Sequence, residues 1–188
     1  MLENVHDPHN IGAVLRTCDA VGIHNIYILY TEEKLQNRGI DIGKKSAAGA
    51  KKWLNIHYFT SLKECFAVIN SKYKRVYGTV IGDQSKDLYA VDFTDSCAIV
   101  FGNEHDGISP QAQNYLTDSI VIPQFGFVKS LNISVACAIS LFEVLRQRRI
   151  KGLYNREFDQ GSSDDQYYES LVSLDIKIKT RGKSLEAE

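Results

Sequence analysis

Residues 122–149 read IPQFGFVKSLNISVACAISLFEVLRQRR. A short apolar strand ends at Pro123, a glycine-containing loop runs through Gly126, a polar knuckle follows at Ser130-Leu131-Asn132, and an amphipathic helix begins. Val135, Ala138, Ile139 and Phe142 fall at i, i+3, i+4 and i+7, so this face is expected to pack inward. The loop lies between two buried elements yet carries hydrogen-bonding side chains. That is the setting of a small-ligand site.

Working outward, residues 97–101 (CAIVF) form a continuous apolar run, typical of a strand covered on both faces. The run enters GNEHDGIS, where Ser109-Pro110 reads as a helix cap with proline at the first helical position. Residues 119–122, 75–81 and 25–30 read as further strands. A helix opens at the Ser61-Leu62-Lys63-Glu64 capping box, with Leu62, Cys65, Phe66 and Ile69 as its stripe. Asp7 and Pro8 open another over residues 10–21, with Ile11, Val14, Leu15 and Cys18 buried and Gly22 as its stop. Asn10, Arg16 and Thr17 lie off that stripe and are expected to face solvent or a partner. Residues 1–5 read as the end of a buried strand, which suggests a missing upstream segment or an unusually short N-terminus. The alternation predicts an α/β fold with a mostly parallel sheet and helices on both faces. The pattern weakens after Lys151, dividing the chain into a domain over 1–153 and an extension over 154–188 with a short helix and a basic tail.

The 188 residues suit one such domain, and 44% apolar with 24% charged residues is an ordinary soluble balance. No run approaches a membrane span and no signal peptide opens the chain, so a cytoplasmic protein is expected. The four cysteines (Cys18, Cys65, Cys97, Cys137) are scattered through apolar contexts, without the spacing of a metal site, and read as reduced core thiols. A formal charge of −1 excludes a chain basic throughout but not a local basic surface. Lys44, Lys45, Lys51 and Lys52, with Arg146 and Arg149, are the candidates for one that contacts phosphate groups; singly, each reads as a solvated charge.

Polar side chains concentrate in three places: Asn10 to Arg16, Gly102-Asn103-Glu104, and Ser130-Leu131-Asn132. The last two follow strands, and in open α/β sheets ligands bind beyond the carboxyl ends of strands, so these loops are expected to share a crevice. No dinucleotide fingerprint, Walker loop, HExxH or GxSxG occurs, which weakens the corresponding enzyme readings.

DPHNIGAVLRTCDAVG at 7–22, IVFGNEHDGIS at 99–109 and IPQFGFVKSLNISVACAISLFEVLRQ at 122–147 resemble, in order and spacing, the three motifs of the SpoU (TrmH) branch of the SPOUT methyltransferases. GLYNR at 152–156 is closest to the tRNA members. The resemblance implies an α/β fold with a deep C-terminal trefoil knot, a homodimer, and S-adenosylmethionine as donor to a ribose 2′-hydroxyl of tRNA, at the D-loop guanosine-18. It places Gly102, Asn103, Ile122 and Leu131 around the donor, with Thr79 lining the same pocket. It makes Arg16 the residue most tied to catalysis, Glu104 the acid of the second motif, and Asn10, Ser130 and Asn132 its polar companions. No metal is implied. The family's basic N-terminal extension, which grips tRNA, has no counterpart here.

A protonated ribose hydroxyl is a poor nucleophile, so the site must orient it in line with the methyl group and help remove its proton; orientation alone supplies up to about 7–11 kcal/mol in the best intramolecular cases. A guanidinium, with a pKa of at least about 12, stays protonated at neutral pH. Arg16 is therefore read as holding the phosphate beside the target ribose and stabilising alkoxide charge, rather than as a base. In isolation Asn10, Ser130 and Asn132 also read as helix caps, and Glu104 as a tether for a loop amide. The competing functions are methylation of ribosomal RNA or of the tRNA wobble position, and a silent RNA-binding scaffold.

Overall fold

The computed structural model describes residues 1–38 and 54–153. Lys44, Lys45, Lys51 and Lys52 lie outside the described residues, as does the 154–188 extension. Strands β1 (Leu2–Glu3), β2 (Asn25–Leu29) and β3 (Asn55–Phe59) form one sheet in the order β1-β2-β3. Strands β4 (Arg75–Thr79), β5 (Lys86–Asp87), β6 (Cys97–Val100) and β7 (Asp118–Val121) form a second, ordered β5-β7-β4-β6. Every strand pair is parallel. Strand β1 links the sheets: the Glu3 N–H donates to the Phe101 carbonyl at 2.9 Å, and the Phe101 N–H to the Met1 carbonyl at 3.0 Å.

Alternation along β2 divides the core. Ile26 and Ile28 pack with Val14, Leu15 and Cys18 of helix α1 (Pro8–Ala20) and with Cys137, Leu141 and Val144 of helix α5 (Ile133–Ile150). Tyr27 and Leu29 pack with Cys65, Phe66 and Ile69 of helix α3 (Leu62–Lys72) and Ala112 of the short helix α4 (Pro110–Gln113). Successive strand residues point to opposite faces, so helices cover both sides of the sheet, as the continuous apolar strands predict. The predicted caps form: Asp7 accepts from the His9 N–H at 2.8 Å, Ser61 from Glu64 at 3.3 Å and Ser109 from Ala112 at 3.2 Å. Glu3 is buried, and its carboxylate accepts from the Ser109 N–H at 3.0 Å and from its hydroxyl at 2.5 Å. This pair pins β1 against the loop that follows β6. None of the described helices is long and apolar enough to cross a membrane.

The inward face of α5 is only in part the predicted one: Ile139 packs against the core, but other members of the stripe do not. Val135 and Phe142 are 45% and 51% exposed, while Ile133, Cys137, Ser140, Leu141 and Val144 are buried. This helix is apolar around most of its circumference, so periodicity does not select one face. Two buried polar residues hide the true one. Ser140 donates its hydroxyl back to the Ala136 carbonyl at 2.8 Å, and Glu143 accepts from Arg146 and Gln147, each at 2.8 Å. The Arg146 guanidinium, a candidate RNA contact, is thus bidentate on its own helix; Arg149 is exposed. Helix α2 (Glu33–Arg38) and strands β3 and β5 lie where no element was expected.

Candidate active site

A cavity of about 540 Å³ opens beyond the carboxyl ends of β4, β6 and β7. Thr79, Gly102, Asn103, Glu104, Ile122, Ser130, Leu131 and Asn132 all line it, so the loops expected to share a crevice do so. The volume falls within the range of small-ligand sites, about 300–1,000 Å³. Thr79 donates its hydroxyl to the Val100 carbonyl at 3.2 Å, tying the ends of β4 and β6 together. Asn103 turns its side chain inward on its own loop, where Oδ1 accepts from the N–H groups of His105 at 2.8 Å and Asp106 at 2.6 Å. Asn103 N–H donates to the Gly107 carbonyl at 3.1 Å, and Gly107 takes a φ of 69°, closing the loop on itself.

Asn10 does not face solvent as its position off the apolar stripe suggested; it is buried. Its Nδ2 donates to Glu104 Oε1 at 2.7 Å, and its Oδ1 accepts from Asn132 Nδ2 at 3.1 Å. Asn132 in turn caps α5, with Oδ1 accepting from the Ser134 N–H at 2.8 Å and its hydroxyl at 2.6 Å. One chain of hydrogen bonds therefore joins residues from the three sequence motifs. His6 and Asp7 complete it, donating backbone N–H groups to Glu104 at 3.3 and 3.4 Å. Sequence reasoning missed those two donors because they are main-chain groups. Gln124 also lines the cavity and was not singled out.

Burial pushes the Glu104 carboxyl up, but the Asn10 amide and the surrounding backbone N–H groups outweigh it and hold the pKa below its ordinary 4.5. At neutral pH Glu104 is thus a carboxylate that accepts hydrogen bonds. A depressed pKa contributes stability above the ordinary carboxylate value, and that contribution is lost as pH falls through the folded value. In Asn10→Ala the largest opposing donor is gone while cover remains. Carboxyl-carbon NMR titration is expected to show Glu104 titrating at higher pH than in the wild type. An unchanged titration would contradict this account of the tether.

Asn10 is not among the lining residues but joins the hydrogen-bond chain; among the catalytic and donor candidates, Arg16 alone does neither. It is exposed and does not line the cavity; at about 100° per residue it sits about a third of a turn round α1 from Asn10.

The sequence pattern of the SpoU rRNA Methylase family matches residues 1–142. The chain is 38% identical to a tRNA (guanosine(18)-2'-O)-methyltransferase of Thermus thermophilus over 156 residues, 83% of this chain and 78% of that protein. Its fold matches the crystal structure of the Aquifex aeolicus TrmH/SpoU tRNA modifying enzyme with a TM-score of 0.76 and 31% identity, covering 93% of this chain and 87% of that one. The SpoU methyltransferase AviRb of Streptomyces viridochromogenes, in complex with the cofactor AdoMet, shares the fold at a TM-score of 0.70 and 23% identity over 79% of this chain and 59% of that one. With its three motifs joined by one hydrogen-bond chain beside the cavity and a match over most of its length, the chain belongs to the SpoU rRNA methylase family.

Proposed function

We infer that the protein transfers a methyl group from S-adenosylmethionine to a ribose 2′-hydroxyl of tRNA, at the D-loop guanosine-18. The carrying observation is the Glu104–Asn10–Asn132 hydrogen-bond chain, whose two ends, Glu104 and Asn132, line the cavity. The cavity's small-ligand volume and its main-chain wall support placing the donor there. A Cβ at Gly102 would strike the backbone of Gly107 and Ile108, so that wall is bare main chain by necessity. Gly102, Asn103, Ile122 and Leu131, which line the cavity together with Thr79, are the residues this reading gives to the donor; the donor would supply an electrophilic sulfonium methyl.

The chain's own residues then do three things. Main chain from the loops after β6 and β7 orients what lies in the cavity, which is where most of the rate of an in-line displacement originates. Ionised Glu104 fixes Asn10, and Asn10 fixes Asn132, so that Ser130 and Asn132 hold the incoming ribose. Arg16, bound to the phosphate beside that ribose, offsets the charge that develops as the hydroxyl proton leaves to water. Arg16 is outside the cavity of its own chain, and the reading assigns it to the site of a second copy. Val135 and Phe142, exposed at i and i+7 on α5, supply an apolar face for that homodimer. The reading assigns the 122–132 segment and α5 to the deep trefoil knot that the motif resemblance implies.

Incubation with labelled S-adenosylmethionine and separate tRNA and ribosomal RNA pools, followed by mapping, is expected to place label on the ribose of guanosine-18 in tRNA. Label confined to ribosomal RNA, or to the wobble position, would overturn the substrate. No label in either pool with donor demonstrably bound would favour the scaffold.

A further inference from the structure

Phe125 and Phe127 are 100% and 105% exposed, the two most exposed large apolar side chains among the described residues, and Val128 beside them is 65% exposed. Such a cluster on a surface loop demands an explanation that a lone exposed leucine does not. Its placement supplies one. The segment leaves β7 and returns to α5 with Gln124 on one side and Ser130 on the other lining the cavity. The tip that carries both rings is therefore held at the cavity's edge.

We propose that Phe125 and Phe127 form a stacking platform for an unpaired base of the RNA substrate, next to the ribose being methylated. This rests on the RNA methyl-transfer reading. A ribose cannot reach the cavity without its base and phosphate arriving beside it, and in folded RNA a reachable nucleotide is an unpaired one. Unpaired bases are recognised by stacking on planar rings, which tolerates any base because each has a π-face. Exposed Lys129, two residues from Phe127, adds a cation where the following phosphate passes. A second copy of the chain is the rival occupant, and the Val135–Phe142 face of α5 already answers that need.

The test measures equilibrium tRNA affinity and KM for Phe125→Ala, Phe127→Ala, Phe127→Leu and Phe127→Tyr, together with donor affinity by calorimetry and mass by light scattering. Stacking at one base is strong enough that both alanine variants and the leucine variant are expected to weaken tRNA binding roughly 10-fold or more, with tyrosine within about 3-fold of wild type. Donor affinity and mass are expected to stay at wild-type values. Unchanged tRNA affinity in both alanine variants overturns the platform. So does recovery by leucine equal to tyrosine, which would mean apolar contact without stacking, or a fall in mass, which would make the loop a subunit contact. Wild-type protein that binds tRNA through these rings but transfers no label would sink the methyl-transfer reading alone.

Discussion

Substitution of Gly102 by alanine is expected to lower affinity for S-adenosylmethionine by at least about 100-fold and to cost about 1–3 kcal/mol of stability, the range for forcing a methyl group into a packed site. Gly102 follows Phe101 at the end of β6, and a Cβ there would overlap the carbonyl carbon and oxygen of Gly107 and the nitrogen of Ile108. These are backbone atoms and cannot swing aside as a side chain would. The loop they belong to is closed by the Asn103–Gly107 hydrogen bond at 3.1 Å and by the inward-turned Asn103 side chain. Relief therefore requires the whole 102–107 loop to shift, taking a cavity wall with it and drawing Glu104 from Asn10. Gly107 provides the contrast. A Cβ at that position meets open space and only the φ of 69° resists a side chain; asparagine tolerates this region, so Gly107→Asn is expected to cost under about 1 kcal/mol. Calorimetric titration and thermal melts on both variants decide the matter. Normal donor binding by Gly102→Ala would mean that the bare backbone wall is not the donor's cradle.

The fold was largely legible because its elements announce themselves locally. Acceptor side chains mark the starts of α1, α3 and α4, with proline at the first position of α1 and α4, and unbroken apolar runs mark β2 and β6. Strand β3 escaped notice because NIHYF has no fully buried position and therefore no apolar alternation to read. The crevice was legible as three polar loops after buried elements, but its wiring was not. Asn10 reaches Glu104 across 94 residues and Asn132 across 122, and no local period encodes a partner at that distance. A buried polar residue next to an apolar stripe looks, in sequence, like a solvated one. The misread part of the α5 face has the same origin: Ser140 and Glu143 are buried because their hydrogen bonds are satisfied, which composition does not reveal. For the same helix, Ile139 of the stripe read as inward does pack against the core, while Val135 and Phe142 are apolar surface left uncovered in a single chain.

That uncovered surface bears directly on Arg16, whose loss is expected to have the largest effect on turnover. Removing one charged donor aimed at developing negative charge costs on the order of 100- to 1,000-fold in kcat, and Arg16→Ala is expected to fall in that range with donor affinity intact. Arg16→Lys keeps the charge but loses the planar fork that grips a phosphate at two points, so it is expected to recover only a fraction of the loss. Near-normal turnover by the lysine variant would refute the bidentate role. The decisive arrangement mixes two crippled proteins. A Gly102→Ala protomer is expected to bind the donor poorly but still carries Arg16; an Arg16→Ala protomer keeps an unaltered cavity but has no arginine to lend. If the arginine acts across a two-fold interface, each mixed dimer holds one complete site, and statistical exchange of equal amounts restores about a quarter of wild-type turnover. If it acts within its own chain, neither site in a mixed dimer is complete and activity stays at the floor of the single variants. The position of Arg16, exposed on α1 and outside its own cavity, predicts the first result.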